Sequence, residues 1–278
     1  MERKIRKKVT GFQTQDGAGV RLVRVLGLET VEDYDPFLML DSFDSKNPAD
    51  YTKGFPFHPH RGIETITYLA KGRIKHRDHL GNEGVIGEGE AQWMTAGSGI
   101  MHEEMPEASE EMLGVQLWLN LPAAHKMTSP EYNDIRDIQE VQEETALVRV
   151  VSGEYKNVKG FQGKYIPADF YDIRLMENKE FTFPTKAENE VYLFLLKGDL
   201  EVEGEFCKEK TAVALERGEA VSVKSVDGKP AEFLVFSAPK LDEPVVWGGP
   251  IVMNTQEELR QAFYELQNGT FVKEDAKK

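Results

Sequence analysis

Tyr68-Leu-Ala-Lys-Gly72 and Phe194-Leu-Leu-Lys-Gly198 are two copies of one short pattern, and they reveal an internal repeat in the chain. Two further pairs of segments follow in the same order: Gly89-Glu-Ala91 with Gly218-Glu-Ala220, and Leu121-Pro122 with Ala238-Pro239. Each half therefore runs through the same succession of strand, turn and strand. A repeat of this length predicts two domains of the same architecture.

The segments between these markers have the two-residue period of half-buried β-strands. Val115, Leu117 and Leu119 alternate with more polar positions, and glycine, aspartate, asparagine and proline separate the short apolar runs. Many short strands with frequent turns are typical of a sandwich or barrel. The sequence therefore predicts an all-β protein built from two sandwich or barrel domains of similar design.

The repeat also sets the expected domain boundaries. Residues 1–122 form the first domain, residues 123–145 a linker, and residues 146–278 the second domain. The linker is expected to contain a short helix, because Pro130 directly follows Ser129. The second domain is expected to end in a C-terminal α-helix that covers a sheet. Thr255-Gln-Glu-Glu258 is a capping-box pattern, and Gly269 is placed as a stop signal.

Composition and charge exclude several classes of function. The formal net charge of -14 repels phosphate backbones, so we expect no direct nucleic-acid contact. No stretch is long and apolar enough for a membrane span, and the start of the chain has no secretory signal. A cytoplasmic location is expected. The single cysteine, Cys207, excludes an internal disulfide and a thiolate cluster, and it reads as a small buried side chain.

A basic run near the start of the chain has two interpretations. It could bind an anion, but a short run of like charges at a terminus is more often a solvated tail, which is the expectation here. The run consists of Arg3, Lys4, Arg6, Lys7 and Lys8.

The chain has six histidines, and all of them lie in the first half: His58, His60, His76, His79, His102 and His125. His58 and His60 are two residues apart, so in a strand they share one face, and Glu64 joins that face if the alternation continues. His102 and Glu104 repeat the spacing. Three imidazoles and one carboxylate around one point would bind a transition metal and leave positions open to solvent.

Each histidine taken singly is more often a surface residue, but two pairs at strand spacing favour the metal site. Nitrogen and oxygen ligands suit iron, manganese, nickel, copper or zinc. His76 and His79 lie beside the turn at Gly81-Asn82 and are expected on an exposed hairpin tip. His125 falls in the linker and is also expected to be exposed.

Two stretches around these histidines resemble the signature sequences of pirins, a branch of the cupin superfamily. They are Phe55-Pro-Phe-His58-Pro-His60-Arg-Gly-Ile-Glu64-Thr and Gln92-Trp-Met-Thr-Ala-Gly97-Ser-Gly-Ile-Met-His102-Glu-Glu104. The resemblance implies two stacked cupin (jelly-roll) barrels with a single metal ion, usually iron(II), in the N-terminal one. It implies that His58, His60, His102 and Glu104 are the metal ligands.

The resemblance has one departure from the wider superfamily and one internal contrast. The residue at Glu64 is a ligand in many cupins but not in typical pirins, so here Glu64 is a candidate base outside the ligand set. The second half resembles pirins with weaker motifs. It has Phe183-Pro-Thr-Lys186 where the first half has its histidine strand, so the C-terminal barrel is expected to lack the metal.

Three functions follow from this resemblance. Pirins are similar to quercetin 2,3-dioxygenases, which implies oxygen-dependent opening of a flavonol, with Glu104 as the first candidate base and Glu64 as the second. Other pirins are described as non-enzymatic regulators that bind a transcription factor or a metabolic enzyme, with the iron oxidation state altering the binding surface. A purely structural metal is the third reading, and it predicts sealed ligands without a ligand-sized pocket.

Overall fold

The computed structural model describes residues 1–274, and most of them lie in β-strands, as the alternation predicts. Twelve strands cover the first half of the chain: β1 Ile5–Thr10, β2 Phe12–Asp16, β3 Val20–Leu26, β4 Phe37–Ser45, β5 Phe55–His60, β6 Ile63–Lys71, β7 Arg73–Asp78, β8 Glu83–Ile86, β9 Glu90–Thr95, β10 Ile100–Glu107, β11 Met112–Asn120 and β12 Glu131–Ile135. The all-β class is confirmed.

The second half repeats this pattern with shorter strands: β13 Gln139–Gln142, β14 Ala146–Ser152, β15 Glu154–Tyr155, β16 Val158–Lys159, β17 Asp169–Leu175, β18 Glu180–Pro184, β19 Glu190–Lys197, β20 Leu200–Val202, β21 Glu205–Cys207, β22 Thr211–Leu215, β23 Ala220–Ser225, β24 Ala231–Ala238, β25 Val246–Gly248 and β26 Ile251–Met253. Two α-helices, α1 Val31–Tyr34 and α2 Gln256–Gln267, accompany the strands. Three short 3₁₀-helices occupy Leu28–Thr30, Pro48–Asp50 and Ala123–His125. Within residues 1–274 no helix is long and apolar enough to cross a membrane.

The strands form two compact units, each with one seven-stranded and one four-stranded antiparallel sheet. The histidine-containing unit comprises Gln13–Val31, Pro36–Arg136 and the described residues from Leu241 onward. Its sheets have the orders β12-β9-β6-β11-β4-β3-β2 and β5-β10-β7-β8. The histidine-free unit comprises Met1–Phe12, Glu32–Asp35 and Asp137–Lys240. Its sheets have the orders β1-β22-β19-β24-β17-β14-β13 and β18-β23-β20-β21.

These units are not continuous in sequence, and so they differ from the expected ranges 1–122 and 146–278. The first strand, β1, pairs antiparallel with β22 and forms the edge of a sheet in the histidine-free unit. The last helix, α2, packs on β25 and β26 within the histidine-containing unit. Each end of the chain thus completes the unit that the other half of the sequence builds.

The basic run is not a solvated tail, so that expectation is wrong. Arg3 is fully buried, and its guanidinium donates to the Thr185 hydroxyl at 2.8 Å and to three backbone carbonyls, those of Lys186, Glu216 and Asn189. Saturating the guanidinium with acceptors offsets the cost of burying its charge. The remaining basic residues of the run lie on or beside β1 and are mostly exposed.

The expected linker helix at Ser129-Pro130 is also absent from the structure. Residues 131–135 instead form β12, which pairs with β9, and the short 3₁₀-helix lies earlier, at Ala123–His125. The proline sits before a strand at the sheet edge, where its missing N–H costs no ladder bond. The segment expected to be a linker therefore supplies an edge strand to the histidine-containing unit.

The C-terminal helix begins and ends where the sequence predicts. Thr255 caps α2 by accepting a hydrogen bond from the Glu258 N–H at 3.2 Å, and the Glu258 carboxylate accepts from the Thr255 N–H at 2.9 Å. Gly269 follows the helix with φ of +71°, a left-handed conformation that glycine adopts at low cost. The buried face of α2 contacts the β25–β26 hairpin through Leu259 and Ala262.

The interiors of the two units differ at matching strands. In the four-stranded sheet of the histidine-free unit, Phe181 and Phe183 of β18 lie opposite Val223 and Val221 of β23, and all four belong to one apolar cluster. The corresponding pair in the other unit is β5 and β10, where His58 lies opposite His102. The second barrel therefore keeps the architecture and fills the position of the histidines with packed hydrocarbon.

We predict that Arg3→Met destabilises the histidine-free unit by about 2–4 kcal/mol, because the four acceptors of its buried guanidinium lose their donor. Amide hydrogen exchange in β22 measures this, and protection of Thr211–Leu215 is expected to fall. Lys4→Met removes an exposed charge beside Arg3 and is the matched control, with an expected change within about 0.5 kcal/mol. Equal protection of Thr211–Leu215 in both variants would contradict a role for Arg3 in holding the N-terminal strand β1 on β22.

Candidate metal centre

Three histidine side chains meet on the inner faces of β5 and β10. His58 and His60 are two residues apart on β5 and share one face of the strand. His102 of β10 is the cross-strand partner of His58. The ring centroids are 4.8 Å apart for His58 and His60, 4.3 Å for His58 and His102, and 5.0 Å for His60 and His102. One nitrogen from each ring lies within 4.8 Å of the others.

Backbone carbonyls determine which nitrogen each imidazole of β5 presents. Nδ1 of His58 lies 2.9 Å from the Pro56 carbonyl, and Nδ1 of His60 lies 3.2 Å from the Pro250 carbonyl. A carbonyl only accepts, so both Nδ1 atoms carry the proton and both Nε2 atoms carry a lone pair. These Nε2 atoms are 3.0 Å apart. Two lone pairs facing each other at that distance repel unless a cation lies between them.

His102 completes the same arrangement. Its Nδ1 faces the ring of His76, and its buried Nε2 has no hydrogen-bond partner within residues 1–274. A buried polar atom without a partner is costly, and a metal ion bound to that nitrogen would remove the cost. The three residues therefore fit a transition metal that accepts neutral nitrogen ligands.

Burial keeps the imidazoles of His60 and His102 neutral. Desolvation, followed by the charge of His58, lowers the pKa of His60 to about 3. Desolvation also lowers the pKa of His102 well below its ordinary value, and repulsion from the neighbouring histidines adds to the shift. Both rings are unprotonated at neutral pH, so a metal ion binds without displacing protons from them.

Glu104 lies two residues beyond His102, on the same buried face of β10. Its Oε1 accepts a hydrogen bond from the Thr67 hydroxyl at 2.8 Å, and its Oε2 accepts from the Gln116 amide at 2.5 Å. Among the described residues the set of mutually close ligand atoms contains the three histidines and not this carboxylate. Glu103 points to the other face and pairs with Arg77, as alternation predicts.

Glu64 does not share the face of the histidines. Its Oε1 accepts from the Thr95 hydroxyl at 2.6 Å, whereas Thr67, at odd spacing from it on β6, points toward Glu104. The alternation that begins on β5 stops at Gly62, whose φ of +78° turns the chain into a strand of the other sheet. The geometry therefore gives no support to Glu64 as a base at the metal.

His76 is buried rather than exposed on a hairpin tip, so that expectation is wrong. It is 1% exposed, its ring centroid is 5.3 Å from that of His102, and it stacks on Tyr132 at 4.2 Å. His79 is half-buried and accepts the Met101 N–H at 3.1 Å, so it is not a fully exposed side chain either. His125 is exposed in its 3₁₀-helix, as expected.

A cavity of about 650 Å³ opens against His58 and His60. Its walls are mainly apolar and aromatic, with a polar patch where Arg24 forms a double hydrogen bond with Asp41 at 2.9 and 2.7 Å. Trp118 contacts His60 edge to face at 4.9 Å and Trp247 at 5.5 Å. A ligand-sized space beside the histidines contradicts the reading of a sealed structural metal.

Comparisons with known proteins agree with this architecture. Two family models match, Pirin over residues 19–119 and the Pirin C-terminal cupin domain over residues 170–272. A pirin-like protein of Caulobacter vibrioides is 42% identical over 97% of this chain and 99% of its own length. Human pirin is 34% identical over 96% of this chain and 93% of its own length.

A solved structure gives the same result at the level of the fold. The crystal structure of a quercetin 2,3-dioxygenase from Acinetobacter baumannii superposes with a TM-score of 0.89 at 30% identity, covering 98% of this chain and 99% of that one. Together with the two cupin-like units and the buried histidine set, these matches show that the chain belongs to the pirin family.

Proposed function

We propose that this protein is a metal-dependent dioxygenase of the quercetin 2,3-dioxygenase type, acting on quercetin or a related flavonol. The observation that carries the proposal is the convergence of three imidazole nitrogens, two of them from histidines that line an aromatic cavity. The Acinetobacter relative bears the same activity in its name. One iron(II) ion is the expected cofactor, and manganese, nickel, copper and zinc also suit the ligand atoms.

Four side chains are proposed to hold the ion: His58, His60, His102 and Glu104. Three neutral imidazoles and one carboxylate leave coordination positions for a substrate oxygen and for O₂. When bound, the metal would lower the pKa of a coordinated hydroxyl, and the electrons that reduce O₂ come from the flavonol itself. Glu104 lies on the same buried face of β10 as His102, and hydrogen bonds from Thr67 and Gln116 fix the direction of its carboxylate.

The cavity accounts for the substrate class. A flavonol is flat and aromatic, and the indoles of Trp118 and Trp247 offer it faces and edges of matching character. The polar patch at Arg24 and Asp41 can exchange hydrogen bonds with phenolic hydroxyls distant from the reacting ring. In the proposed reaction one O₂ is consumed for each flavonol opened, and carbon monoxide is released.

Glu104 is proposed to accept the proton of the flavonol 3-hydroxyl. A carboxylate that already receives two hydrogen bonds keeps its orientation while the substrate enters, so little reorganisation is needed for proton transfer. Gln116 of β11 is buried and donates a hydrogen bond to this carboxylate. In this proposal the three histidines bind the metal ion, and Glu104 accepts the proton of the 3-hydroxyl.

The first test of the proposal is metal content. We predict one metal ion per chain by elemental analysis of the desalted protein. His58→Ala, His60→Ala and His102→Ala are each expected to retain less than about a tenth of that amount, because three remaining ligands close the site poorly. His125→Ala removes an exposed histidine and should keep full occupancy. Two ions per chain, or undiminished metal in the three variants, would remove this centre.

The second test separates the base from the ligand. Glu104→Gln keeps an oxygen that can ligate and accept a hydrogen bond, but its amide is no base. In iron-loaded protein we expect oxygen uptake with quercetin to fall roughly 10²–10⁴-fold while most of the metal stays bound. Glu103→Gln, the outward neighbour paired with Arg77, is the matched control and should retain wild-type turnover.

Two outcomes would change the assignment. A larger loss in Glu64→Gln at full metal occupancy would transfer the base role to Glu64 despite its position on the opposite face of β6. Wild-type oxygen uptake no faster than that of free iron would contradict the dioxygenase. Capture of a protein partner in both iron oxidation states would then test the regulatory reading.

A further inference from the structure

The three histidines of the proposed metal centre differ in the hydrogen-bond partner of Nδ1, the ring nitrogen that faces away from the proposed metal. For His58 and His60 the partner of Nδ1 is a backbone carbonyl. For His102 the partner is another imidazole, because Nδ1 of His102 lies 3.5 Å from Nδ1 of His76. A carbonyl accepts a hydrogen bond whatever its surroundings, but an imidazole nitrogen accepts only when its proton is on the other nitrogen.

The other nitrogen of His76 faces a carboxylate. Its Nε2 lies 3.4 Å from Oδ2 of Asp78, two residues along β7 on the same inward face. Asp78 is itself fixed: Oδ1 accepts from the backbone N–H groups of Leu80 and Asn82, and Oδ2 accepts from the Asn82 amide at 2.9 Å. These bonds close the turn between β7 and β8, so the carboxylate is held by the hairpin itself.

One face of the His76 ring is covered by a stacked aromatic side chain. Tyr132 of β12 stacks on it with an interplanar angle of 19°, and the Tyr132 hydroxyl donates to Asp134 at 2.5 Å. Strand neighbours on β7, Lys75 and Arg77, point outward. His76 is therefore a buried imidazole, fixed in its plane by a tyrosine and at its edges by Asp78 and His102.

We infer that His76 and Asp78 form a hydrogen-bonded relay that positions His102 and sets its tautomer, so that His102 presents Nε2 to the metal. The order is Asp78 carboxylate, His76 Nε2–H, His76 Nδ1, His102 Nδ1–H and His102 Nε2. This inference rests on the proposed metal centre and adds two positioning residues to it. Neither residue belongs to the set of mutually close ligand atoms formed by the three histidines.

The relay has an electronic consequence. A carboxylate behind an imidazole makes the next imidazole a stronger electron donor, whereas a neutral carbonyl does so less. The relay would thus make His102 a stronger donor to the metal than a carbonyl-held imidazole, and a stronger donor favours the higher oxidation state of a redox metal. Removing the relay should weaken metal binding and move the iron(III)/iron(II) reduction potential to more positive values.

The experiment compares wild-type protein with His76→Leu, His76→Asn and Asp78→Asn. Leucine fills the space and abolishes the acceptor, whereas asparagine places an amide oxygen near the position of Nδ1 and can still accept from His102. Asp78→Asn keeps an oxygen for the turn N–H groups but removes the charge. Zinc(II) affinity is measured by chelator competition, the nitrogen NMR signals of His102 report its tautomer, and the potential is measured on iron-loaded protein.

We expect His76→Leu to lose about 10–100-fold in zinc affinity and to perturb the Nδ1 signal of His102. His76→Asn should restore affinity to within a few-fold of wild type, a rescue that loss of packing alone would not give. Asp78→Asn should shift the potential positively with a smaller loss of affinity. His125→Asn, an exposed histidine, is the matched control and should change nothing.

Wild-type affinity, potential and His102 signals in both His76→Leu and Asp78→Asn would overturn the relay. If His76→Leu does not fold, Asp78→Asn decides, and an unchanged potential in that variant overturns the inference. If the wild-type protein binds no zinc, both the proposed metal centre and the relay are contradicted. A wild-type protein that binds metal but consumes no oxygen would contradict only the dioxygenase, since these readouts do not depend on turnover.

Discussion

Two imidazole nitrogens with facing lone pairs, 3.0 Å apart inside a β-barrel, are the constraint around which the histidine-containing unit is organised. That arrangement is unfavourable without a cation, and the protein maintains it by fixing both rings through carbonyls from Pro56 and Pro250. Burial then removes water that could compensate the repulsion. The arrangement therefore favours a cation of suitable size and ligand preference at the proposed metal centre.

The two units show what such a site costs in packing. In the histidine-free unit the equivalent strands present Phe181, Phe183, Val221 and Val223, which bury apolar surface without any polar group to satisfy. The histidine-containing unit gives up that packing for imidazoles, a glutamate and an open cavity, and its apolar residues are divided between separate clusters. One architecture thus serves as a stable frame in one copy and as a chemical site in the other.

The features that could be predicted from the sequence are those with a local cause. The repeat, the strand alternation, the spacing of His58 and His60, and the cap at Thr255 depend on neighbouring residues, and the structure contains them. The burial of His76 was not predicted, because exposed Arg73, Lys75 and Arg77 alternate with it and Asp78 follows. Most of the strand is therefore polar, and the sequence resembles a surface hairpin. The position of Glu64 was not predicted because the alternation of inward and outward side chains on β5 does not continue past the turn at Gly62. The burial of Arg3 depends on acceptors more than 180 residues away, which no local pattern records.

The carbonyl that orients His60 belongs to Pro250, 190 residues later in the chain. During synthesis on a ribosome, His58, His60 and His102 all emerge long before that carbonyl exists. The nascent barrel therefore holds its ligands without the contact that sets the tautomer of one of them. At the proposed metal centre, the tautomer of His60 that presents Nε2 is therefore fixed only after the β25–β26 hairpin has been translated and packed in this unit.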